Sequence, residues 1–437
     1  MSKTKINFLA LTNYLATKWQ VILITAVLIV VPLFPKFPAF RIPGTYVAVR
    51  LEDFLLLAVF LIFSIPIISN IKRVIKNNVS RSILLFLVIG FVSLLSGVYL
   101  TQTVDLKIGL LHWLRRIEYM SLFFIGFIYI SKFKDQGFFN YLIKILLLVN
   151  LFIFLYGLGQ RYVNLPVILT QNEEYSKGIA LRWVPGAHIN STFAGHYDLA
   201  SYLVLTLPIF ISAFFVLKDK MSKIILGISI FFGYWLLSVA VSRISIVAFI
   251  LASTISLFLL KKYKEIVMVV ALSLVVFGTA PDLQVRYKRI YDVIIQKVSS
   301  VVVVYAGEDG NVNEDRSTSI RLNVEWPRAI RAFYKNPLLG TGYSSITLAT
   351  DNDYLRALGE AGLFGLMSFI LIFIYMYKKI KTYVFSDNFK SIFIAGFVGS
   401  TIGIMMTAVF IDIFEASKFA IIYWTFAGLV IGGIKKQ

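Results

Sequence analysis

Apolar residues along this chain come in continuous runs, at about 20–34, 51–69, 82–100, 117–131, 139–158, 199–217, 223–241, 244–260, 264–280, 361–377, 390–411 and 418–434. A helix needs roughly 20 apolar residues to cross a hydrocarbon core, so the runs predict about twelve transmembrane helices. A β-barrel is excluded, because its strands would alternate apolar and polar positions. The expected fold is an all-α polytopic membrane protein with two long extracytoplasmic loops, the second partly helical.

The polar links between the runs fix the orientation. Lys72, Arg73, Lys76 and Arg81 follow the second run, Lys132 and Lys134 the fourth, and Lys218, Lys220 and Lys223 the sixth. Lys261, Lys262 and Lys264 follow the eighth, Lys378, Lys379 and Lys381 the tenth, and Lys435 and Lys436 close the chain. Positive charge marks the cytoplasmic side, which puts these links and both termini inside. The expected organisation is an amphipathic cytoplasmic segment at 1–19, transmembrane helices at 20–158, an external loop at 159–198, and central helices at 199–280. A large external loop at 281–360 and C-terminal helices at 361–437 complete it. Ile6 to Trp19 reads as an amphipathic surface helix and not a cleavable leader.

Composition agrees. Of 437 residues, 58% are hydrophobic and only 15% charged, too few charges for a surface that faces water throughout. The net charge of +20 would suggest nucleic acid in a soluble chain, but here it sits in the short links. Nucleic acid is therefore not an expected partner, whereas membrane lipids are. The absence of cysteine removes disulfides, thiolate zinc sites and cysteine nucleophiles, and three histidines make a histidine-rich metal site a poor reading. No metal ligand set and no cofactor are expected.

Candidate chemistry lies in the two long loops. The second opens with Arg286, Lys288 and Arg289, then a valine run at 301–304 that reads as a strand, then the turn-rich acidic GEDGNVNED. A helix is predicted from Ser319 to Tyr334, kinked or split at Pro327 and stopped by Asn336-Pro337-Leu338-Leu339-Gly340-Thr341-Gly342. It brings Arg316, Arg321, Arg328 and Arg331 beside Trp326, and a guanidinium fork suits phosphate oxygens. A solvated helix with surface ion pairs is the plainer reading of the same residues. Asp351, Asn352, Asp353, Tyr354, Arg356 and Glu360 then lead into the tenth run. Asp353 reads as a helix cap, and Asp351 as a carboxylate able to act as general base toward a sugar hydroxyl. Arg243, in LLSVAVSRISIVAF, is held at the membrane boundary with almost no loop. That makes it a functional candidate, against the alternative of an arginine snorkelling to headgroups. In the first loop, Arg182 precedes STFAGHYDLASYL, where His196 and Asp198 read as substrate contacts.

STFAGHYDLASYL, LLSVAVSRISIVAF, RLNVEWPRAIRAFYKNPLLGTGYSS and DNDYLRALGEAGLFG, in that order, resemble the O-antigen ligase and O-antigen polymerase superfamily of bacterial envelope glycan enzymes. The resemblance covers roughly the C-terminal 60% of the chain. It implies a GT-C-type glycosyltransferase of the bacterial cytoplasmic membrane that works at the outer face without a metal. Its donor would be an undecaprenyl-diphosphate-linked glycan, transferred en bloc to a glycan or lipid acceptor. By the resemblance, Arg243 grips the donor diphosphate, Arg321 or Arg328 supplies the arginine of the external helix, and Arg182 is a further basic residue. Asn352 and Tyr354 fall in the Asn-x-Tyr-Leu motif. In the ligases a histidine opens that motif and is the proposed base; here the position is Asp351. A glycolipid flippase or other transporter of polysaccharide precursors is the alternative. It would place charges deep within helices and break helices near the midplane, whereas the unusual polar residues here cluster at the outer face.

Overall fold

The computed structural model describes residues 19–34, 38–45, 48–132, 137–167, 181–184, 187–284, 287–288, 320–346 and 350–434. The N-terminal amphipathic segment, the valine run at 301–304, the acidic GEDGNVNED, and Arg286, Arg289 and Arg316 lie outside the described residues.

Each apolar run is helical. They form α1 (Trp19–Leu33), α2 (Leu51–Ser69), α4 (Asn78–Tyr99), α5 (Leu106–Lys132), α6 (Gly137–Tyr162), α7 (His196–Val216) and α8 (Lys220–Ala240). The series continues with α9 (Arg243–Leu259), α10 (Tyr263–Thr279), α12 (Asp353–Ile380), α13 (Phe389–Thr407) and α14 (Ser417–Gly433). Two further helices lie between runs: α3 (Ile71–Lys76) in a basic link, and α11 (Trp326–Lys335) in the second long loop. Among the described residues, seven helices are by themselves long and apolar enough to cross a membrane, and α1, α9 and α14 are shorter apolar helices. α5 misses that standard because it begins eleven residues before its apolar run, with Arg115, Arg116 and Glu118 in its first half. Two small antiparallel hairpins, β1 (Pro38–Arg41) with β2 (Ala48–Arg50) and β3 (Pro166–Val167) with β4 (Leu181–Arg182), decorate the helix ends.

Small residues set the helix packing, as expected where lipid supplies no hydrophobic drive between helices. On α14, Cβ atoms added at Gly428 and Gly432 would lie 2.1 Å from the Phe123 carbonyl oxygen and 2.5 Å from that of Phe127, so α5 and α14 meet backbone to backbone. On α13, Gly399 and Gly403 meet the Ala252 and Ala248 carbonyl oxygens of α9 at 2.1 and 2.6 Å in the same sense, while Gly396 approaches Ile209 of α7. α7 lies at the centre, nearly every residue buried. α2 lies at the edge, with Ile65 75% and Ile68 67% exposed, an apolar surface for lipid.

The end of the bundle opposite the lysine-rich links is tied together by polar contacts. Lys418 is fully buried there, and its ammonium donates to the carbonyls of Pro32 (3.1 Å), Phe34 (2.7 Å) and Thr192 (2.6 Å). All three ammonium protons are thereby used, the condition for burying such a group at tolerable cost. Arg161 and Asp282 close the same end between α6 and the segment after α10, at 2.7 Å.

Candidate active site

The second long loop presents a helix whose first turn is widened. Residues 321–325 form a π-turn, in which the Trp326 N–H reaches back to the Arg321 carbonyl, and α11 follows directly. Pro327, near the start of α11, has no N–H to give to the preceding turn, so the predicted kink appears as this π-turn. Arg321 points from it to Asp351, and both Nε (2.9 Å) and Nη2 (2.7 Å) donate to Oδ2. Tyr197, from the start of α7, is also hydrogen-bonded to Arg321, which joins the first long loop to the second. Burial pushes the Asp351 carboxyl above the usual carboxylate range, against the pull of Arg321.

Asp351 is presented by a clamp that the sequence reading missed. Its φ is +49°, the left-handed region that Asp tolerates better than most residues. The Asp412 carboxylate accepts from the backbone N–H on either side, Thr350 (2.8 Å, Oδ2) and Asn352 (2.9 Å, Oδ1). Arg356 holds Asp412 in turn, Nη1 to Oδ2 at 3.2 Å. Asn352 caps α12 by accepting the Leu355 N–H at 2.9 Å, so its side chain serves the helix. Asp353, read as that cap, instead accepts the N–H groups of Ile413 (2.8 Å) and Phe414 (3.2 Å) and fixes the link that carries Asp412. The signal for Asp412 was a pair of acids, Asp412 and Glu415, in the short link between two apolar runs in TAVFIDIFEAS.

Beneath this lies a break in α12. Gly362 has φ +68° and ψ −168°, so two helices meet there at a kink. The Asn336–Gly342 loop satisfies the groups that the break frees: Leu363 and Phe364 donate to the Pro337 and Leu338 carbonyls (2.9 and 3.2 Å). In return Thr341 and Gly342 donate to those of Gly359 and Glu360 (3.0 and 2.8 Å). Gly340, φ +70°, faces Gly362. A Cβ on either would stand 2.6 Å from the other's backbone nitrogen. A narrow cavity next to the break is lined by Arg116, Tyr343, Arg356 and Glu360. Arg116 spans it, donating to the Phe414 carbonyl at 3.1 Å and paired with Glu415.

The remaining candidates divide. Arg243 opens α9 after Val241, whose φ of +54° makes the tight turn, and the capping position Ser242, and it lies close enough to Tyr287 to lower that phenol's pKa against the effect of burial. Ile189 donates to the Val239 carbonyl at 3.3 Å, so the first long loop also runs past this turn. His196 opens α7, its ring 4.4 Å from that of His188 and beside Tyr197. Arg182 lies exposed in β4, paired with Pro166; among the described residues it has no hydrogen bond to the Arg321–Asp351 group. The Tyr354 hydroxyl donates to the Met405 carbonyl at 2.9 Å and anchors α12 to α13. Trp326 and Arg328 stay beside Arg321, each with a buried nitrogen, Nε1 and Nη1, that has no hydrogen-bond partner among the described residues.

Fold and site together define a polytopic helical membrane protein that gathers fixed arginines and carboxylates at one end of its bundle. Residues 224–370 match the family model described as O-antigen ligase, a stretch that contains Arg243, Arg321 and Asp351. The match spans about a third of the chain and agrees with the resemblance to the O-antigen ligase and polymerase superfamily drawn from its motifs. No curated protein matches the chain.

Proposed function

We propose that the protein is a glycosyltransferase that moves an oligosaccharide from undecaprenyl diphosphate to an acceptor hydroxyl at the outer face of the cytoplasmic membrane. The observation that carries the reading is the Arg321–Asp351 pair with two buried donors beside it that have no partner among the described residues, on the end of the bundle opposite the lysine-rich links. Native structures rarely leave buried donors unpaired, and oxygen-rich ligands are the natural partners for these.

The donor carries its own activation. As the anomeric carbon–oxygen bond breaks, negative charge builds on the departing diphosphate, and fixed guanidinium groups stabilise that charge most in the transition state. Arg321 is fixed by Asp351, Asp351 by Asp412, and Asp412 by Arg356, so the donors are oriented before substrate arrives. Arg243, rigid at the first position of α9, is the second diphosphate ligand in this reading. His196 and Tyr197 line the approach from the first loop. Charge supplied by arginines gives the reaction its electrostatic stabilisation without calling on a metal.

Reconstitution with a defined undecaprenyl-diphosphate oligosaccharide tests this. A ladder of glycan lengths identifies a polymerase, and one transfer to a different lipid or core acceptor identifies a ligase. Translocation of intact donor with no new glycosidic bond would overturn the reading in favour of a flippase.

A further inference from the structure

A transfer of this kind must dispose of the acceptor's hydroxyl proton, and Asp351 is poorly placed to take it. Its Oδ2 already accepts two hydrogen bonds from Arg321, and its backbone is clamped on both sides. A carboxylate so engaged is a good positioning group: although burial raises its proton affinity, its Oδ2 is committed to orienting Arg321.

Glu325 closes the π-turn that Arg321 opens, and its Oε2 is buried without a hydrogen-bond partner among the described residues. The next residues repeat the pattern with opposite polarity: Trp326 Nε1 and Arg328 Nη1 are buried donors without partners. One orphaned acceptor and two orphaned donors within four residues make a set that no group among the described residues uses. A hydroxyl that donates to the carboxylate while its neighbouring oxygens accept from the indole and the guanidinium would complete it. Resting on the transferase reading above, we infer that Glu325 is the catalytic base, with Trp326 and Arg328 holding the acceptor sugar against it.

In the step this implies, the acceptor oxygen forms a bond to the donor's anomeric carbon, and the bond from that carbon to the phosphate oxygen breaks. The electron pair leaves with the diphosphate, and the hydroxyl proton passes to Glu325 Oε2. The groups facing Glu325 are Asp351 and Asp412, which oppose its ionisation, and Arg321 and Arg328, which favour it. Burial, the largest influence, together with Asp351 pushes its carboxyl up to about 7. A base poised near neutrality combines a populated charged form with real proton affinity.

The test is the single-turnover rate at saturating undecaprenyl-diphosphate oligosaccharide, measured against pH alongside donor affinity. Wild-type rate should rise with pH through about 7, as the carboxyl loses its proton. Glu325→Gln should lower the rate about 10²–10⁴-fold and flatten the profile while donor affinity is kept. Glu325→Asp should retain part of the rate and a pH rise, which separates loss of the base from loss of the fold. Asp351→Asn should slow transfer through Arg321 yet keep the rise. A Glu325→Gln enzyme with wild-type rate and profile would overturn the inference, as would Asp351→Asn being the variant that flattens it. If wild-type protein only translocates donor, the transferase reading itself fails, a result that these comparisons cannot imitate.

Discussion

At the scale of single residues, the site depends on groups whose geometry matters more than their charge. Arg243→Lys keeps the positive charge but replaces a planar fork by a point, so it should insert and fold normally while losing most transfer at saturating donor. Unchanged turnover would return Arg243 to a snorkelling role. Asp412→Asn should be equally telling, although Asp412 is given no contact with substrate. An amide offers one acceptor oxygen where the carboxylate serves two backbone N–H groups, so Asp351 and Arg321 should drift, and a displacement of about 1 Å can cost on the order of 10²-fold in rate. A rate within error of wild type would show that the clamp is dispensable. Arg243, Arg321, Asp351 and Trp326 stand out as candidates in the sequence because their chemistry or setting is unusual for a membrane chain. Asp412 and Tyr197 were not, since each acts through a neighbour that only folding supplies, nor was Glu325, whose buried, unpartnered oxygen appears only in the folded chain. Asn352 and Tyr354 stand in a recognisable motif, yet the structure spends their side chains on a helix cap and a helix–helix tie.

At the scale of elements, the apolar runs located the helices, seven of which are by themselves long and apolar enough to cross a membrane among the described residues, because continuous hydrophobicity over that length has few other outcomes. The helix across Ser319 to Tyr334 was legible too, and observed helical residues run from 320 to 335, with the kink expected at Pro327 appearing as the π-turn just before it. What the pattern concealed is the break in α12, where Gly362 stands among residues that otherwise read as uninterrupted helix. Only the distant Asn336–Gly342 loop explains how the freed N–H and carbonyl groups are satisfied. Gly362→Ala tests that pairing directly. The new Cβ would stand 2.4 Å from the Leu338 carbonyl, in a backbone region that is essentially reserved for glycine. The conformational penalty alone is about 1–3 kcal/mol. Thermal unfolding in detergent should therefore shift clearly downward, and an unchanged midpoint would mean that the break is not required.

At the scale of the whole molecule, the bundle has two chemically different ends, one carrying lysine-rich links and the other the site. The chain lacks cysteine, so single cysteines report sidedness without background. Tyr334→Cys, at a position 73% exposed beside the site, should react with an impermeant thiol reagent added outside intact cells. Ser386→Cys, in the link between α12 and α13, should stay silent until the membrane is opened. The reverse result would invert the protein and remove the site from the outer face. The facing glycines 340 and 362 have a consequence of another kind, for descent. Each leaves room only for a hydrogen on the other, so neither position can change unless the opposite backbone changes with it. The two segments are therefore bound to be inherited as one unit, and a chimera that exchanges one without the other joins two halves of a lock cut for different keys.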